Sequence, residues 1–189
     1  MPTEAVSLKP EEARARLCAL IAAKSLTKEG TFQLASGQTS GFYFDMKPVL
    51  LDPEGARLIA EAVLAEIKGD EVDHIGGLAM GAIPIVAAVV AMSWPRRPIA
   101  GFFVRPHQKE RGTKRLVEGN IQRNARVVLV EDVTTTGGSA LQAAEAVWEF
   151  GCDVVKVITV VDRLAGAGAN LEARGLELTA LFTRDDFKL

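Results

Sequence analysis

Two adjacent carboxylates and a run of small hydroxyl residues follow a strongly apolar segment in the middle of the chain. Residues 127–141 read VVLVEDVTTTGGSAL. The four aliphatic residues at the start are typical of a strand that is covered on both faces of a parallel sheet. The backbone N–H groups of the small residues that follow can point into one concavity, which suits a phosphate. A helix predicted from Ala140 to Phe150 adds the partial positive charge of its N-terminus.

Glu131 and Asp132 distinguish this turn from the common nucleotide-binding loops. The Walker loop needs a Lys beside Ser or Thr after its last glycine, the dinucleotide fingerprint needs three spaced glycines, and the turn has neither pattern. Because two carboxylates repel a bare phosphate, we expect them to accept hydrogen bonds from neutral hydroxyls or to lie near a metal. A ribose with a 5-phosphate offers both groups. The alternative is an ordinary strand, turn and helix with a solvated acidic corner.

Helix and strand patterns alternate along most of the chain. The predicted helices cover 10–24, 53–67, 83–92, 140–150 and 169–174, and the predicted strands cover 72–78, 99–104, 126–130, 154–161 and 178–182. Such alternation predicts an α/β domain with a largely parallel sheet. In sheets of this kind, ligands bind beyond the carboxyl ends of the strands.

The size and charge of the chain limit its function. Its 189 residues fit one domain, and a net charge of -2 with a pI near 5.8 gives no basic surface for nucleic acid. The first residues lack a secretory signal, and the longest apolar run, 82–94, is too short to cross a bilayer and contains Pro84. We therefore expect a cytoplasmic enzyme with neither a nucleic-acid partner nor a membrane partner.

The segment 127–141 resembles the phosphoribosyl pyrophosphate (PRPP) binding motif of the type I phosphoribosyltransferases. The resemblance implies that Glu131 and Asp132 contact the ribose hydroxyls, and that one loop holds the 5-phosphate. The loop residues are Val133, Thr134, Thr135, Thr136, Gly137, Gly138 and Ser139. The implied fold is a central, mostly parallel sheet flanked by helices, with a small N-terminal hood. One domain would span 1–189, with the hood at about 1–50 plus the C-terminal end and the core at about 51–175.

A second segment resembles the hood of the orotate phosphoribosyltransferases within that family. Residues 32–47 read FQLASGQTSGFYFDMK. Aromatic rings suit a flat pyrimidine, and a lysine can neutralise a carboxylate. The resemblance implies that Tyr43, Phe44 and Lys47 bind orotate. As plain structure, the same aromatic residues could form a hairpin strand that packs on the core.

Residues 105–118, RPHQKERGTKRLVE, form a long polar segment with five Arg or Lys residues. A loop of this length between core strands is often a lid, although a solvated hairpin tip is the alternative. The segment is similar to the family's catalytic loop, which implies that Arg105, Lys109 and Arg111 bind the diphosphate of PRPP. Pro106 replaces a commonly basic residue, and Arg111 stands where many members have His, so it can bind an anion but cannot donate a proton. In the family the loop covers the neighbouring subunit's site, which implies a homodimer.

Two further positions complete the resemblance to the orotate enzymes. Residues 160–163, VVDR, match the strand end whose Arg binds the orotate carboxylate, so Arg163 takes that role, and Thr135 matches a residue that contacts orotate. In residues 77–86, Gly81 occupies a place where some members carry Lys, so any diphosphate contact there comes from backbone N–H groups.

The implied reaction transfers the 5-phosphoribosyl group of PRPP to N1 of orotate, in de novo pyrimidine (UMP) biosynthesis. Lys109, Arg111 and Asp132 are the implied catalytic residues, and Mg²⁺ is held mainly by PRPP and water. Two alternatives remain at this point: a phosphoribosyltransferase for another base, and a regulator that senses PRPP without catalysis.

Overall fold

The computed structural model describes residues 8–33, 39–107 and 116–189. The helices are α1 (Pro10–Lys24), α2 (Lys47–Leu50), α3 (Pro53–Glu66), α4 (Ala82–Ser93), α5 (Gly138–Phe150) and α6 (Ala167–Glu172), followed by a 3-10 turn (Arg184–Phe187). The strands are β1 (Leu26–Thr27), β2 (Phe32–Gln33), β3 (Thr39–Ser40), β4 (Tyr43–Phe44), β5 (His74–Gly76), β6 (Ala100–Val104), β7 (Val117–Gly119), β8 (Arg126–Thr134), β9 (Asp153–Asp162) and β10 (Leu178–Thr183). In these ranges, no helix has the length and apolar character that crossing a membrane requires.

A six-stranded sheet forms the centre of the fold, in the order β10, β9, β8, β5, β6, β7. Every neighbouring pair is parallel except β6 and β7, which are antiparallel. Residues 127–130 of β8 are all buried, as expected for a central strand covered on both faces. The predicted α/β fold with a mostly parallel sheet is therefore confirmed.

Most predicted elements are present, and two strands differ in length from the prediction. α3 starts where predicted, because the carboxylate of Asp52 accepts hydrogen bonds from the backbone N–H groups of Glu54 and Gly55. β5 is limited to residues 74–76, and Leu78 makes only an isolated bridge to Val104. β8 continues to residue 134 instead of ending at 130, because its pairing with β9 persists that far. The two adjacent carboxylates therefore lie within the strand and not after it.

The N-terminal part of the chain packs on the sheet through a shared apolar core. It contains two short antiparallel pairs, β1 with β4 and β2 with β3. The ring of Phe44 lies 5.2 Å from that of Phe187 near the C-terminus, centroid to centroid. Both belong to one apolar cluster that also contains Leu17, Ile75 and Val128. The division into hood and core remains a prediction, although the two share this cluster.

We predict that Gly76→Ala destabilises the sheet. A Cβ at this position would lie 2.4 Å from ring atoms of Phe102, which is 1% exposed and has no room to move. Overpacking of this kind lowers the free energy of unfolding by about 1–3 kcal/mol, which urea denaturation measures. Gly69→Ala is the matched control, because its Cβ would have no neighbour within 4 Å. Equal unfolding midpoints for the two variants would contradict the prediction.

Candidate active site

The parallel pairing of β8 with β9 brings the small-residue loop and Arg163 together. Thr134 pairs with Asp162 at the carboxyl ends of the two strands. The next residue, Arg163, donates its backbone N–H to the carbonyl of Thr134 at 3.0 Å. The sites that the sequence predicts for a phosphate and for a carboxylate are therefore held side by side by main-chain hydrogen bonds.

The loop after β8 curves into the N-terminus of α5. Gly137 has a φ of +81°, a conformation that glycine adopts without strain, and an added Cβ would lie 3.3 Å from Leu171. The side chain of Asn170 holds the loop from α6 by donating to the carbonyl of Thr136 at 2.9 Å. The first turn of α5 has neither an acidic residue nor a side-chain cap, so its N–H groups can receive an anion.

Glu131 is a partly buried carboxylate with an unusual protonation equilibrium. Its pKa is raised from a usual value of 4.5 to about 7, mainly by burial and to a smaller extent by the neighbouring charge of Asp132. Hydrogen bonds from Thr134 and Ser139 oppose this shift because they stabilise the charged form. Near neutral pH, Glu131 is therefore present in both the protonated and the ionised form.

Asp132 lies against the turn that precedes α4. A Cβ at Gly81 would lie 2.3 Å from Oδ1 of Asp132, so only glycine allows the turn to approach this carboxylate so closely. The peptide bond between Ala79 and Met80 in the same turn is cis. Burial raises the pKa of Asp132, whereas the positive charge of Lys47 lowers it. The turn 77–81, Asp132 and Lys47 thus form one side of the site.

Lys47 connects the hood to this side of the site. Its Nζ lies 2.6 Å from Oδ1 of Asp45, and this pairing raises the pKa of Lys47. The side chain is 72% exposed, so a substrate can reach the ammonium group.

The two aromatic residues predicted beside orotate point in different directions. Tyr43 is 38% exposed and stacks on Phe32 with 5.5 Å between ring centroids. Phe44 is 4% exposed and lies in the apolar core. The alternation of side chains along β4 explains the difference, since successive residues face opposite sides of a strand. Phe44 therefore supports the hood from inside, contrary to the expectation that its ring packs beside orotate.

Arg163 is a buried cation held in a fixed orientation. Only 5% of the residue is exposed, and Nη2 donates to Oγ of Ser40 at 2.7 Å and to the carbonyl of Phe42 at 3.2 Å. The guanidinium also lies 4.3 Å from the centroid of the Phe42 ring, and burial lowers its pKa. Within residues 8–33, 39–107 and 116–189, no carboxylate lies within ion-pair distance of it.

Sequence patterns assign no role to Ser40 or Phe42, although both belong to the hood segment. Their contact with Arg163 joins positions more than 120 residues apart, which local patterns do not reveal. The sequence feature that could have indicated this contact is Ser40, a small hydroxyl residue two positions before the aromatic run at 42–44.

The structure describes only the two ends of the predicted lid. Nε of Arg105 lies 3.0 Å from Oε1 of Glu118, and the side chain of Gln142 donates to the carbonyl of Pro106 at 2.7 Å. These contacts fix the base of the segment on β6, β7 and α5. Lys109 and Arg111 lie outside the described residues.

The acidic residues suit a magnesium ion that arrives with a substrate. Across the described ranges, no group of three or more His, Cys, Asp or Glu side chains is arranged to hold a metal. Mg²⁺ usually keeps several waters and binds through substrate phosphates with one or two carboxylates. Glu131 and Asp132 offer oxygen donors of that kind beside the anion-binding loop, so this donor set fits such an ion.

Comparison with known proteins identifies relatives over nearly the whole chain. Residues 50–179 match the family model described as "Phosphoribosyl transferase domain". The orotate phosphoribosyltransferase of Rhodopseudomonas palustris (strain BisB18) is 49% identical over 179 residues, which are 92% of this chain and 95% of that protein. The enzyme of the same name from Aquifex aeolicus (strain VF5) is 42% identical over 172 residues, which are 89% of this chain and 94% of that protein.

Solved structures agree with these relatives. Orotate phosphoribosyltransferase of Mycobacterium tuberculosis H37Rv, in complex with PRPP, superposes with a TM-score of 0.78 at 35% identity and covers 94% of this chain and 99% of that one. The same enzyme in complex with Fe(III) dicitrate superposes with a TM-score of 0.82 at 37% identity, with the same coverage. The type I phosphoribosyltransferase fold is thus confirmed, and the chain belongs to the orotate phosphoribosyltransferase family.

Proposed function

We propose that this protein transfers the 5-phosphoribosyl group of PRPP to N1 of orotate, giving orotidine 5-monophosphate and diphosphate in de novo pyrimidine biosynthesis. The observation that carries the proposal is the buried guanidinium of Arg163, which has no carboxylate partner in the described residues and lies beside an anion-binding loop. A buried charge without a counter-ion is costly. The carboxylate of orotate supplies that counter-ion, and uracil does not.

The donor substrate binds at the end of β8. The loop 133–139 and the N-terminus of α5 hold the 5-phosphate through backbone N–H groups. Glu131 and Asp132 accept hydrogen bonds from the ribose 2- and 3-hydroxyls. The turn 77–81 lies against Asp132 and offers its N–H groups to the diphosphate.

The acceptor binds between the end of β9 and the hood. Arg163 pairs with the orotate carboxylate, and its contacts with Ser40 and Phe42 fix the direction of that pairing. Tyr43 covers the pyrimidine ring, and Thr135 lies in the loop between the two substrates. Lys47 lies near enough to Asp132 for their charges to interact, so it faces the region where the two substrates meet.

The reaction forms a bond from orotate N1 to ribose C1 while the bond from C1 to the diphosphate oxygen breaks, and the proton of N1 passes to the departing diphosphate. Positive charge grows on the sugar, as in glycoside cleavage, and the carboxylate of Asp132 stabilises it. Attack from the face opposite the diphosphate inverts the configuration at C1. Arg105, Lys109 and Arg111 stabilise the leaving diphosphate when the lid excludes water. Glu131 and Asp132 would hold a Mg²⁺ ion that arrives with PRPP, and such an ion would neutralise part of the diphosphate charge.

We predict that the purified protein with PRPP and Mg²⁺ consumes orotate and leaves uracil and hypoxanthine unchanged. Arg163→Ala should lower kcat/KM for orotate by about 100-fold, because a hydrogen-bonded pair of opposite charges is lost, while the Kd for PRPP stays within about twofold. Arg174→Ala removes an exposed arginine paired with Glu145 and is the control. Turnover of uracil as fast as that of orotate, or an Arg163→Ala variant with wild-type kcat/KM, would refute the proposal.

We predict a pH dependence that originates in Glu131. Since its folded-state pKa of about 7 exceeds the usual 4.5, the folded protein binds more protons than the unfolded chain between these values. The free energy of unfolding therefore falls as the pH rises through this window. The Glu131→Gln variant cannot titrate at this position, so it does not lose this stability. The free energy of unfolding of the variant minus that of the wild type should therefore increase from pH 5 to pH 8, as measured by urea denaturation.

We also predict that ionisation of Glu131 makes PRPP binding tighter as the pH rises from 6 to 8, because the ionised carboxylate accepts hydrogen bonds from the ribose hydroxyls. Calorimetry on Glu131→Gln should show weaker binding with a smaller pH dependence, which comes from the phosphate groups of PRPP, whose second pKa is about 6. Glu149→Gln, at an exposed position of α5, should behave as wild type in both measurements. Parallel pH profiles for wild type and Glu131→Gln would show that Glu131 does not titrate as stated.

We further propose a homodimer that forms through the outer face of α4, in which the lid of one subunit reaches the partner's site. α4 contains no charged residue, and its outer positions Ala87 and Ala91 are exposed. Exposed Met80 and Trp94, at 78% and 72%, flank the helix. A helix that is apolar on all sides is normally buried, and an apolar patch of this kind marks an interface. Because α4 follows the turn at Asp132, a partner on this face lies beside the active site.

We predict that Ala91→Arg converts the protein to a monomer, which sedimentation equilibrium would detect as half the mass. Turnover should fall at least tenfold, since each site would lose the partner's lid residues, while the isolated subunit stays folded. Ala23→Arg, at an exposed position of α1, is the control and should leave the mass unchanged. A dimer that persists in both Ala91→Arg and Ala87→Arg would exclude this face.

A further inference from the structure

The hydroxyl of Thr134 forms a hydrogen bond with the side chain of Glu131 in the candidate site. Thr134 is the last residue of β8 and is 1% exposed. Its Oγ1 donates a hydrogen bond to Oε2 of Glu131, three residues earlier. In a straight strand, residues three apart lie about 10 Å apart and face opposite sides. The contact therefore depends on the conformations of the two side chains, because the pairing of β8 with β9 keeps its register from residue 128 to residue 134.

We propose that Thr134 is a positioning residue for PRPP: its hydroxyl fixes one carboxylate oxygen of Glu131 and so directs the other toward the ribose. This inference rests on the proposed binding of PRPP by Glu131. It gives Thr134 a role different from that of a phosphate ligand, because its hydroxyl is buried and already occupied.

The chemistry of position 134 supports this role. Valine has the same shape as threonine and suits a buried strand end equally well, so packing alone does not require the hydroxyl. A hydroxyl donor stabilises the ionised carboxylate, which is the form that accepts two hydrogen bonds from a ribose. Without this donor, burial would favour the protonated form of Glu131 more strongly.

The charged groups around Glu131 do not supply a substitute for this donor. Asp132 is the neighbouring charge and favours protonation, whereas Lys47 and Asp45 act on Asp132. On the adjacent strand β9, the residue opposite Glu131 is the uncharged Thr159. Among residues 8–33, 39–107 and 116–189, Ser139 is the one other residue whose side-chain hydrogen bond lowers the pKa of Glu131.

The test is the affinity for PRPP of Thr134→Val, measured by calorimetry with Mg²⁺ at pH 7. The Kd should rise about tenfold, which is the usual effect of losing a hydrogen bond to a charged group. The KM for PRPP should rise in parallel, while the KM for orotate stays within about twofold. Thr134→Ser should restore the affinity, because it keeps the hydroxyl that donates to Glu131.

Thr159→Val is the matched control, because it removes a buried hydroxyl that donates to the carbonyl of Val161 at 3.2 Å. It should lower thermal stability about as much as Thr134→Val and leave the Kd for PRPP unchanged. If Thr134→Val does not fold, Thr134→Ala removes the same hydroxyl without adding a methyl group.

A folded Thr134→Val with the wild-type Kd for PRPP overturns the proposal, as does a Thr134→Ser variant that does not restore the affinity. A wild-type protein that binds PRPP but does not convert orotate contradicts the proposed reaction alone, since the binding measurement does not involve orotate.

Discussion

The parallel pairing of β8 with β9 is the interaction on which the rest of the site depends. Neighbouring strands of a sheet lie about 4.8 Å apart, so side chains that follow their carboxyl ends are brought into one region. Here the pairing continues to Thr134 and Asp162, and the next backbone hydrogen bond joins Arg163 to Thr134. The loop after β8 and the backbone of Arg163 are thereby fixed relative to each other, while the hood residues Ser40 and Phe42 set the direction of the guanidinium.

The same region contains charges in unfavourable surroundings. Arg163 is buried without a carboxylate partner in the described residues, and burial raises the pKa values of Glu131 and Asp132. Such groups lower the stability of the unliganded protein, and a substrate with complementary charge removes the penalty on binding. In the proposed binding mode, the two substrates would provide the complements: a carboxylate for Arg163, and hydroxyl donors for the acidic pair. Specificity then follows from the cost of leaving a buried group unpaired, which a ligand without a carboxylate cannot relieve.

The sequence was sufficient for the fold class and for the order of the elements, because long periodic segments such as α1, α3 and α5 carry strong local signals. It did not predict where β8 ends. The polar residues Glu131 and Asp132 suggested that the strand stops at residue 130, but its pairing with β9 continues to residue 134. The orientation of Phe44 was also missed, since β4 has only two residues and its register depends on β1. The contacts of Ser40 with Arg163 and of Thr134 with Glu131 depend on the folded chain. The lid residues Lys109 and Arg111, the hood boundary and the cytoplasmic location remain predictions.

The relative affinity for two nucleotides of closely similar shape, orotidine 5-monophosphate and uridine 5-monophosphate, tests most directly whether the two strand ends form one composite site. The nucleotides share the ribose 5-phosphate and differ in the carboxylate that Arg163 would bind. Calorimetry on the wild-type protein should give a Kd for orotidine 5-monophosphate at least about tenfold lower, as expected for one charged hydrogen-bonded pair, and PRPP should displace it competitively. Equal affinities for the two nucleotides, or binding of orotidine 5-monophosphate that persists in the presence of saturating PRPP, would contradict a single site built on β8 and β9.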